Sequence, residues 1–474
     1  MDIIDNDLLS MQEARILVEN AREAQKIVKN FSQEQLDFIV NNIFKEIKDH
    51  IEEFAKLDYE ETEIGNVEDK KLKLELFLNN LEKALKNMRC VGVIENNKED
   101  KTLDVGVPVG VIAAFCSEAN IVSTLIYKSI IAIKSGNGIV FGMPKKAKKT
   151  TKKVMDTIID IIEKSGAPQG IISYISRCSL NGSKELLNHK DINLILNTGI
   201  DELLDEIKTS GKSYIYGGNG DSPVFIERTA DIKEAVKNIV DSKTFDNGII
   251  PGSEEIIVVE KVILEEVKKE FIKNNAYFLN EEESKRLKEI IFDKFGKFNK
   301  NYIGKSSQFL AEKAGIKVEK NVKLLITNEK YLTLDSEYSK EKLCPVLDLY
   351  VEEDWKNACE KCIELLLSDK QGHTLIIHSQ DENIIEQFIL KKPVGRVLVN
   401  TGGSFGSLGI TTNLFPAMTL GSGVIGKGIT SCNVSPRNLI YIRKVGYGVR
   451  KVEEILKNKN LEEKLKEIIK TILK

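Results

Sequence analysis

The sequence predicts an α/β protein with two doubly wound, Rossmann-like domains, because strand-like and helix-like segments alternate through most of its 474 residues. Short runs rich in β-branched residues, such as VPVGVIAAF, NGIVFGM, GIISYI and NLILN, are separated by helical segments such as IVSTLIYKSIIAIKS. A second set of strands, EIIVVE, KLLIT, PVLDLYV, HTLIIHS and RVLVN, follows the helix-like AVKNIVDSK. Two such blocks predict two domains with a cleft between them.

The segments at the two ends differ from these blocks. Apolar residues recur at helical spacing from Leu8 to about Met88, and Ser32 with Gln35 has the spacing of a capping box. Near the other end, NLIYIRKVGYGV is typical of a strand that pairs outside both blocks, either in this chain or with another subunit.

The last stretch predicts an amphipathic helix, since its apolar residues share one helical face opposite lysines and glutamates. These residues are Leu461, Leu465, Ile468, Ile469, Ile472 and Leu473. We favour packing of this helix against its own subunit. The alternative is docking on a partner or a shell protein.

Composition argues against several classes of protein. A net charge of -3 and a pI of about 6.1 provide no general attraction for nucleic acid or acidic membranes. The N-terminus lacks the basic start and apolar run of a secretory signal, and no stretch is apolar enough to span a bilayer, so we expect a cytoplasmic protein. Seven scattered cysteines favour reduced thiols. Cys359 and Cys362 lie in a helical run, where structural use is favoured over a metal site.

Four segments, in order along the chain, resemble the CoA-acylating aldehyde dehydrogenases. They are PVGVIAAFCSEANIVSTLIYKSIIAIKSGN, INLILNTG through SGKSYIYGGNGDSPVFIE, SKTFDNGIIPGSEEIIVVE, and EKLCPVL through HTLIIHS to LVNTGGSFGSLGITTNLFPAMTLGSGVIG. The family includes acetaldehyde, propionaldehyde and succinate-semialdehyde dehydrogenases and the first half of bifunctional aldehyde-alcohol dehydrogenases. The resemblance extends to about Arg450 and implies the aldehyde dehydrogenase fold.

On this fold, we divide the chain into four parts. Residues 1–238 hold the helical N-terminus and a dinucleotide-binding-like domain, and residues 239–428 form a catalytic-like domain. Residues 429–450 form an oligomerisation segment, and residues 451–474 the amphipathic tail. The resemblance also implies a homo-oligomer or an oligomer with paralogues.

The resemblance implies oxidation of an aldehyde by NAD(P)+, with transfer of the acyl group from a cysteine to coenzyme A. In the family pattern that cysteine follows FDNG and two apolar residues, and here Pro251 stands at that position. Proline has neither a nucleophilic side chain nor a backbone N–H, so an attacking group and an oxyanion donor are lost together. Ser253 is a weak substitute because no base is evident beside it.

Two residues of AAFCSEAN are further candidates for the site. Asn120 matches the asparagine with which the family hydrogen-bonds the developing oxyanion. Cys116 precedes it and is therefore expected near the cleft. A cysteine at the end of an apolar strand is more often a small buried hydrophobic residue, which is the interpretation that we favour.

The implied cofactor segment departs from the family pattern. Relatives carry TGG-x-G, whereas this chain has Thr198 and Gly199 followed by Ile200, Asp201 and Glu202. The two carboxylates have an ordinary explanation as helix caps, yet they would repel a pyrophosphate. The resemblance thus implies NAD(P) and CoA, while these residues argue against binding.

The next glycine-rich segment is also altered. Gly218 and Gly220 keep their places, but Tyr216 replaces a glycine and either fills ligand space or packs under a loop. Glu341 matches a family glutamate associated with the nicotinamide ribose, and Lys146 lies in a basic segment that the family has near the adenosine. Gly402 and Gly403 replace a proline-containing pattern, and Ser422 stands where relatives often have cysteine.

Three hypotheses follow. The first is an impaired or inactive homologue kept as an oligomer partner, scaffold or ligand-binding regulator, which is motivated by Pro251. The second is a working short-chain aldehyde dehydrogenase with a relocated nucleophile such as Cys116. The third is an assembly protein of a bacterial microcompartment, which is motivated by the amphipathic tail.

Overall fold

The computed structural model describes residues 5–218, 220–328, 338, 340–368 and 372–473. It begins with four helices, which confirms the predicted helical opening: α1 (Asn6–Val28), α2 (Gln33–Ile47), α3 (Ile51–Thr62) and α4 (Val67–Leu85). Ser32 caps α2 through its hydroxyl, and Gln35 returns a hydrogen bond to the Ser32 N–H, so the predicted capping box is present. An antiparallel hairpin follows, formed by β1 (Gly92–Asn97) and β2 (Thr102–Pro108).

The first open sheet has five parallel strands in the order β5-β4-β3-β6-β7. The strands are β3 (Val111–Cys116), β4 (Gly138–Phe141), β5 (Ile172–Tyr174), β6 (Ile192–Thr198) and β7 (Ser213–Gly217). Their helices are α5 (Ile121–Lys134), α6 (Lys148–Lys164), α7 (Leu180–Asn188) and α8 (Leu204–Thr209). Helix α5 is buried along its whole length, because the sheet lies on one side and the N-terminal helices on the other.

The second sheet has seven parallel strands in the order β10-β11-β12-β9-β8-β13-β14. They are β8 (Ser222–Ile226), β9 (Glu254–Glu260), β10 (Ala276–Phe278), β11 (Leu324–Asn328), β12 (Val346–Glu352), β13 (Thr374–His378) and β14 (Arg396–Val399). The helices are α9 (Ile232–Thr244), α10 (Leu264–Lys273), α11 (Glu281–Ile291), α12 (Ser307–Lys313), α13 (Trp355–Ser368), α14 (Glu382–Lys391) and α15 (Gly403–Ser407).

The change of sheet does not coincide with the predicted boundary at residue 238, because β8 already belongs to the second sheet. Sequence pattern alone shows that a strand is present, whereas its sheet depends on pairing with residues far along the chain. Two separate parallel sheets nevertheless confirm the predicted pair of doubly wound domains.

A third sheet joins distant parts of the chain. Strand β15 (Ile440–Gly446) pairs antiparallel with β2, giving the order β1-β2-β15. The predicted strand therefore does lie outside both parallel sheets, and it pairs within its own chain. Among the described residues, no helix is both long enough and apolar enough to cross a membrane.

The tail forms the last helix, α16 (Val452–Ile472), as predicted. Its apolar side chains are exposed, including Leu461 at 60%, Leu465 at 49% and Ile472 at 77%. Packing of this face against its own subunit was the favoured expectation and is wrong, because periodicity identifies an apolar face but not what covers it.

Deleting residues 452–474 is expected to leave the thermal midpoint of unfolding unchanged, because α16 buries no apolar side chain against the rest of the chain. A matched control is Leu439→Ala at a fully buried position, which should lower the unfolding free energy by about 2–5 kcal/mol. Calorimetry of both variants makes the comparison. A loss of stability on deletion as large as that of Leu439→Ala would contradict this account.

Candidate functional site

The first sheet has a topological switch point between β3 and β6, since the chain leaves these neighbouring strands in opposite directions. In open parallel sheets, ligands bind outside the carboxyl ends of the strands at such a point. Cys116 ends β3 and Thr198 ends β6, and the two residues are register partners. The candidate site therefore begins at these residues and extends to the start of β9, where Pro251 and Ser253 lie.

The turn that leads to Pro251 has an unusual backbone. Asp246, Asn247 and Gly248 are consecutive residues in the left-handed region, with φ of 47°, 53° and 77°. Asp, Asn and Gly tolerate this region better than other residues, which explains the FDNG sequence. The Asn247 amide donates to the Gly304 carbonyl at 2.8 Å and so ties the turn to the segment before α12.

Asp246 is fully buried and is held by two buried lysines. Lys73 Nζ lies 2.6 Å and Lys70 Nζ 3.7 Å from Asp246 Oδ2, and Lys70 also pairs with Asp58 at 3.0 Å. Burial alone would raise the pKa of Asp246, but the charges of Lys73 and Lys70 more than offset it, so the net pKa lies below its ordinary value. The carboxylate is therefore ionised inside the protein.

Asn120 lies on the same network, and both ends of its amide are engaged. Lys73 Nζ donates to Asn120 Oδ1 at 2.7 Å, and Asn120 Nδ2 donates to the Ile249 carbonyl at 3.0 Å. An amide whose donor is bonded to the backbone has less freedom to bind an oxyanion. The residue predicted to hold an oxyanion here fixes the turn before Pro251.

Pro251 sits in a tight turn in which the Ser253 N–H donates to the Ile250 carbonyl at 2.9 Å. The Pro251 carbonyl packs directly on Gly220, where a Cβ would lie only 1.6 Å from the oxygen. A glycine is therefore required at residue 220, because two backbone segments approach each other too closely for a side chain. The Ser253 hydroxyl is buried and has no hydrogen-bond partner among the described residues.

Two buried glutamates, Glu254 and Glu255, follow this turn at the start of β9. Glu254 is buried and accepts hydrogen bonds from the Gly403 N–H at 2.7 Å and the Ser242 hydroxyl at 2.5 Å. Burial raises the pKa of Glu254 to about 7, although these hydrogen bonds oppose the shift. A proline at Gly403 could not donate this bond, so the glycine there has a structural role.

His373 is a site residue that the sequence analysis missed. A Cβ on Gly220 would lie 3.3 Å from His373 Nδ1, so the imidazole adjoins the backbone contact with Pro251. Burial and the charge of Arg396 hold the pKa of His373 well below its ordinary value, so the ring is neutral. The chain has only four histidines, which is a signal that could have drawn attention to this one.

Cys116 is buried at the end of β3, as the structural interpretation predicts. Burial raises the pKa of the Cys116 thiol, although the neighbouring Lys128 opposes the shift. Lys128 itself is buried and donates to the carbonyls of Phe115 at 2.6 Å and Leu196 at 3.0 Å. Burial lowers the pKa of Lys128 to about 8. Because the pKa of Cys116 is raised, its thiol is protonated at neutral pH.

Asp201 and Glu202 lie in the first turn of a short helix, where the sequence placed them, but the N-cap residue is Ile200, which forms no side-chain capping hydrogen bond. Asp201 instead accepts a hydrogen bond from the Tyr216 hydroxyl, and Glu202 pairs with Lys300 at 2.5 Å. Both partners lie outside the local sequence in which caps are sought. Tyr216 is buried, with 2% of its surface exposed.

The other predicted cofactor residues lie around this loop. The Thr198 hydroxyl shares a hydrogen bond with the Thr419 hydroxyl at 2.8 Å, and Gly199 has φ of 70°. Glu341 accepts from the Gly220 N–H at 2.7 Å. Burial and nearby carboxylates raise the pKa of Glu341 to about 8, so it is largely protonated at neutral pH.

Gly218 packs against the Tyr216 ring, and Asn219 of the same segment lies outside the described residues. Lys146 has an exposed side chain, while its backbone N–H donates to Glu118 at 2.6 Å. Cys359 and Cys362 are buried in the core of the second domain, and no metal-ligand cluster occurs in the described part of the chain.

A groove of about 460 Å³ adjoins the left-handed turn. Its lining includes Asn247 and the aromatic pair Phe245 and Phe405, whose ring centroids lie 4.7 Å apart. The remaining lining is mostly polar. The groove is large enough for a small ligand and lies next to the segment that ends at Pro251.

Comparison with known proteins identifies relatives of this chain. The model of the aldehyde dehydrogenase family matches residues 3–279. The bifunctional aldehyde-alcohol dehydrogenase of Escherichia coli is 34% identical over 91% of this chain and 49% of its own length. The chain thus spans about half the length of the first curated relatives that it matches.

Two solved structures have the same fold. An acetylating aldehyde dehydrogenase from Geobacillus thermoglucosidasius is 38% identical, with a TM-score of 0.92 over 95% of this chain and 99% of the other. A propionaldehyde dehydrogenase from a fucose-utilisation microcompartment of Clostridium phytofermentans is 27% identical, with a TM-score of 0.83 over 92% and 97% of the two chains.

Replacing Asp246 by alanine is expected to lower the unfolding free energy by about 3–5 kcal/mol, because it leaves two buried lysines short of a counter-charge. Urea unfolding measures the change. Asp241→Ala is the matched control, since Asp241 forms an exposed pair with Lys237 and its loss should cost about 1 kcal/mol or less. Equal effects of the two substitutions would show that the buried cluster does not hold the turn.

Proposed function

This chain belongs to the CoA-acylating branch of the aldehyde dehydrogenase family, and we propose that it is a member without dehydrogenase activity that serves as an oligomer partner, scaffold or ligand-binding regulator. Members of the branch use NAD and CoA. The observation that carries the proposal is Pro251 at the position of the nucleophile. Its ring offers no group that attacks a carbonyl, and its nitrogen has no proton to donate.

The engagement of Asn120 supports the same proposal. Catalysis of acyl transfer depends on donors that are directed at the place where negative charge develops. Asn120 Nδ2 is directed at the Ile249 carbonyl at 3.0 Å, and Lys73 occupies the other end of the amide. The nucleophile and the oxyanion donor are thus replaced by groups that maintain the backbone.

A working dehydrogenase with a relocated nucleophile is the second candidate. The position of Cys116 at the switch point, beside the Lys128 ammonium, favours it. Against it, the thiolate is the nucleophile, and burial raises the pKa of this thiol. Ser253 is buried, and its hydroxyl has no hydrogen-bond partner among the described residues that would take its proton. We therefore prefer the non-catalytic role.

Assembly with other chains is the role that the exposed surfaces support. Strand β15 is an edge strand with exposed Tyr441 and Ile442, and exposed edges are templates for pairing. The apolar face of α16 is also exposed. Partners are further copies of this chain or active paralogues, and a shell protein of a microcompartment is the alternative for the tail. The microcompartment origin of one relative is consistent with this alternative.

Purified full-length protein is expected to form no NADH from acetaldehyde, NAD+ and CoA above the rate of a protein-free blank, because the attacking group is missing. Absorbance of NADH measures the rate. Cys116→Ala is the matched variant, and it should behave identically. NADH formation by the wild type that Cys116→Ala abolishes would overturn the proposal in favour of a relocated nucleophile.

A further inference from the structure

The crevice at the carboxyl ends of β3 and β6 is the place where the first sheet should accept a ligand. Strand β3 continues through α5 to β4 on one side, and β6 continues through α8 to β7 on the other. A pyrophosphate at such a point is normally bound by free backbone N–H groups and a helix N-terminus, next to glycines that permit close approach. The fit of a dinucleotide can therefore be judged from the residues in this crevice.

A side chain of the protein itself covers one wall of this crevice, the loop after β6. Tyr216 precedes the last residue of β7, and its hydroxyl donates to Asp201, which follows β6. The ring therefore spans the end of β6. It also covers Gly218, where a Cβ would lie 2.8 Å from Tyr216 Cε1. A buried ring that joins these two loops covers the loop after β6, which a ligand at the switch point would have to contact.

The loop after β6 has further contacts on two sides. Glu202 forms an exposed ion pair with Lys300 of the second domain at 2.5 Å. The Ser117 N–H donates to the Thr198 carbonyl at 3.0 Å, so the loops after β3 and β6 are bonded to each other. The loop cannot open without breaking contacts on three sides.

The charge of the crevice also opposes a pyrophosphate. The turn after β6 presents Asp201 and Glu202, and the helix that follows, α8, has only six residues. Burial and the adjacent Asp201 raise the pKa of Tyr216, so the phenol stays protonated and keeps its hydrogen bond. Glu202 is paired with Lys300, so Asp201 is the carboxylate at this end that repels phosphate oxygens. The residues present do not fit a dinucleotide.

We propose that Tyr216 and Asp201 form an internal latch that covers the β6 wall of the switch-point crevice and excludes NAD from it. The inference rests on the proposed non-catalytic function and adds to it a second loss, which is independent of Pro251. Restoring a cysteine at residue 251 would not restore cofactor binding. Opening the latch would create affinity for the dinucleotide.

Isothermal titration of the full chain with NAD+ and with NADH tests the latch. The wild type should show no saturable binding, and Tyr216→Phe should show none because its ring still covers the loop after β6. The double variant Tyr216→Gly with Asp201→Gly should show saturable binding, at least about tenfold tighter than the weakest affinity that the same titration can detect. Circular dichroism and thermal unfolding establish that each variant is folded. Tyr216→Ala serves as a second opened variant if the double variant does not fold.

Two results would overturn the latch. One is micromolar binding of NAD+ by the wild type, and the other is a folded, opened variant that binds no better than the wild type. If the wild type binds NAD+ but forms no NADH from an aldehyde, the latch is refuted and the proposed function still stands. If the wild type forms NADH, the proposed function itself is refuted.

Discussion

The buried carboxylate of Asp246 is the interaction on which the arrangement between the two domains depends. It is ionised because Lys73 and Lys70 are buried with it, and it accepts the Asn66 N–H at 2.9 Å. These bonds hold three consecutive left-handed residues and, through Lys73, the amide of Asn120. A buried ion pair is stable only when its members are hydrogen-bonded as these are. The cluster thereby holds the turn that positions Pro251.

The frame is that of an aldehyde dehydrogenase, whereas the candidate site carries residues that the family pattern does not predict. Parallel strands, helix caps and apolar faces keep the geometry of an aldehyde dehydrogenase, whereas the changes lie where the frame meets the cleft. Three of these residues have partners within the protein: Tyr216 pairs with Asp201, Glu202 with Lys300, and Gly403 with Glu254. These polar groups meet one another within the same chain. Fold alone does not confer a chemistry, which depends on the residues of the site.

Much of the fold could be predicted from the sequence because strand and helix periodicities are local. The alternation of VPVGVIAAF with IVSTLIYKSIIAIKS was enough to predict a doubly wound sheet. The site was less predictable, because its contacts are not local. The partners of Asp201 and Glu202 are 15 and 98 residues away, so a capping role was inferred in their absence. The cluster of Lys70, Lys73 and Asp246 gave no sequence signal, since lysines on a helix are usually solvated.

Transfer of an acetyl group from acetyl-CoA to a cysteine of this protein tests the central claim most directly, because that step needs a nucleophile but neither NAD nor an aldehyde. Intact-protein mass spectrometry after incubation, with and without hydroxylamine, detects a thioester. The account predicts an unchanged mass for the full-length chain. A hydroxylamine-sensitive acetyl adduct that maps to Cys116 would contradict it and would identify this protein as a catalyst with a displaced nucleophile.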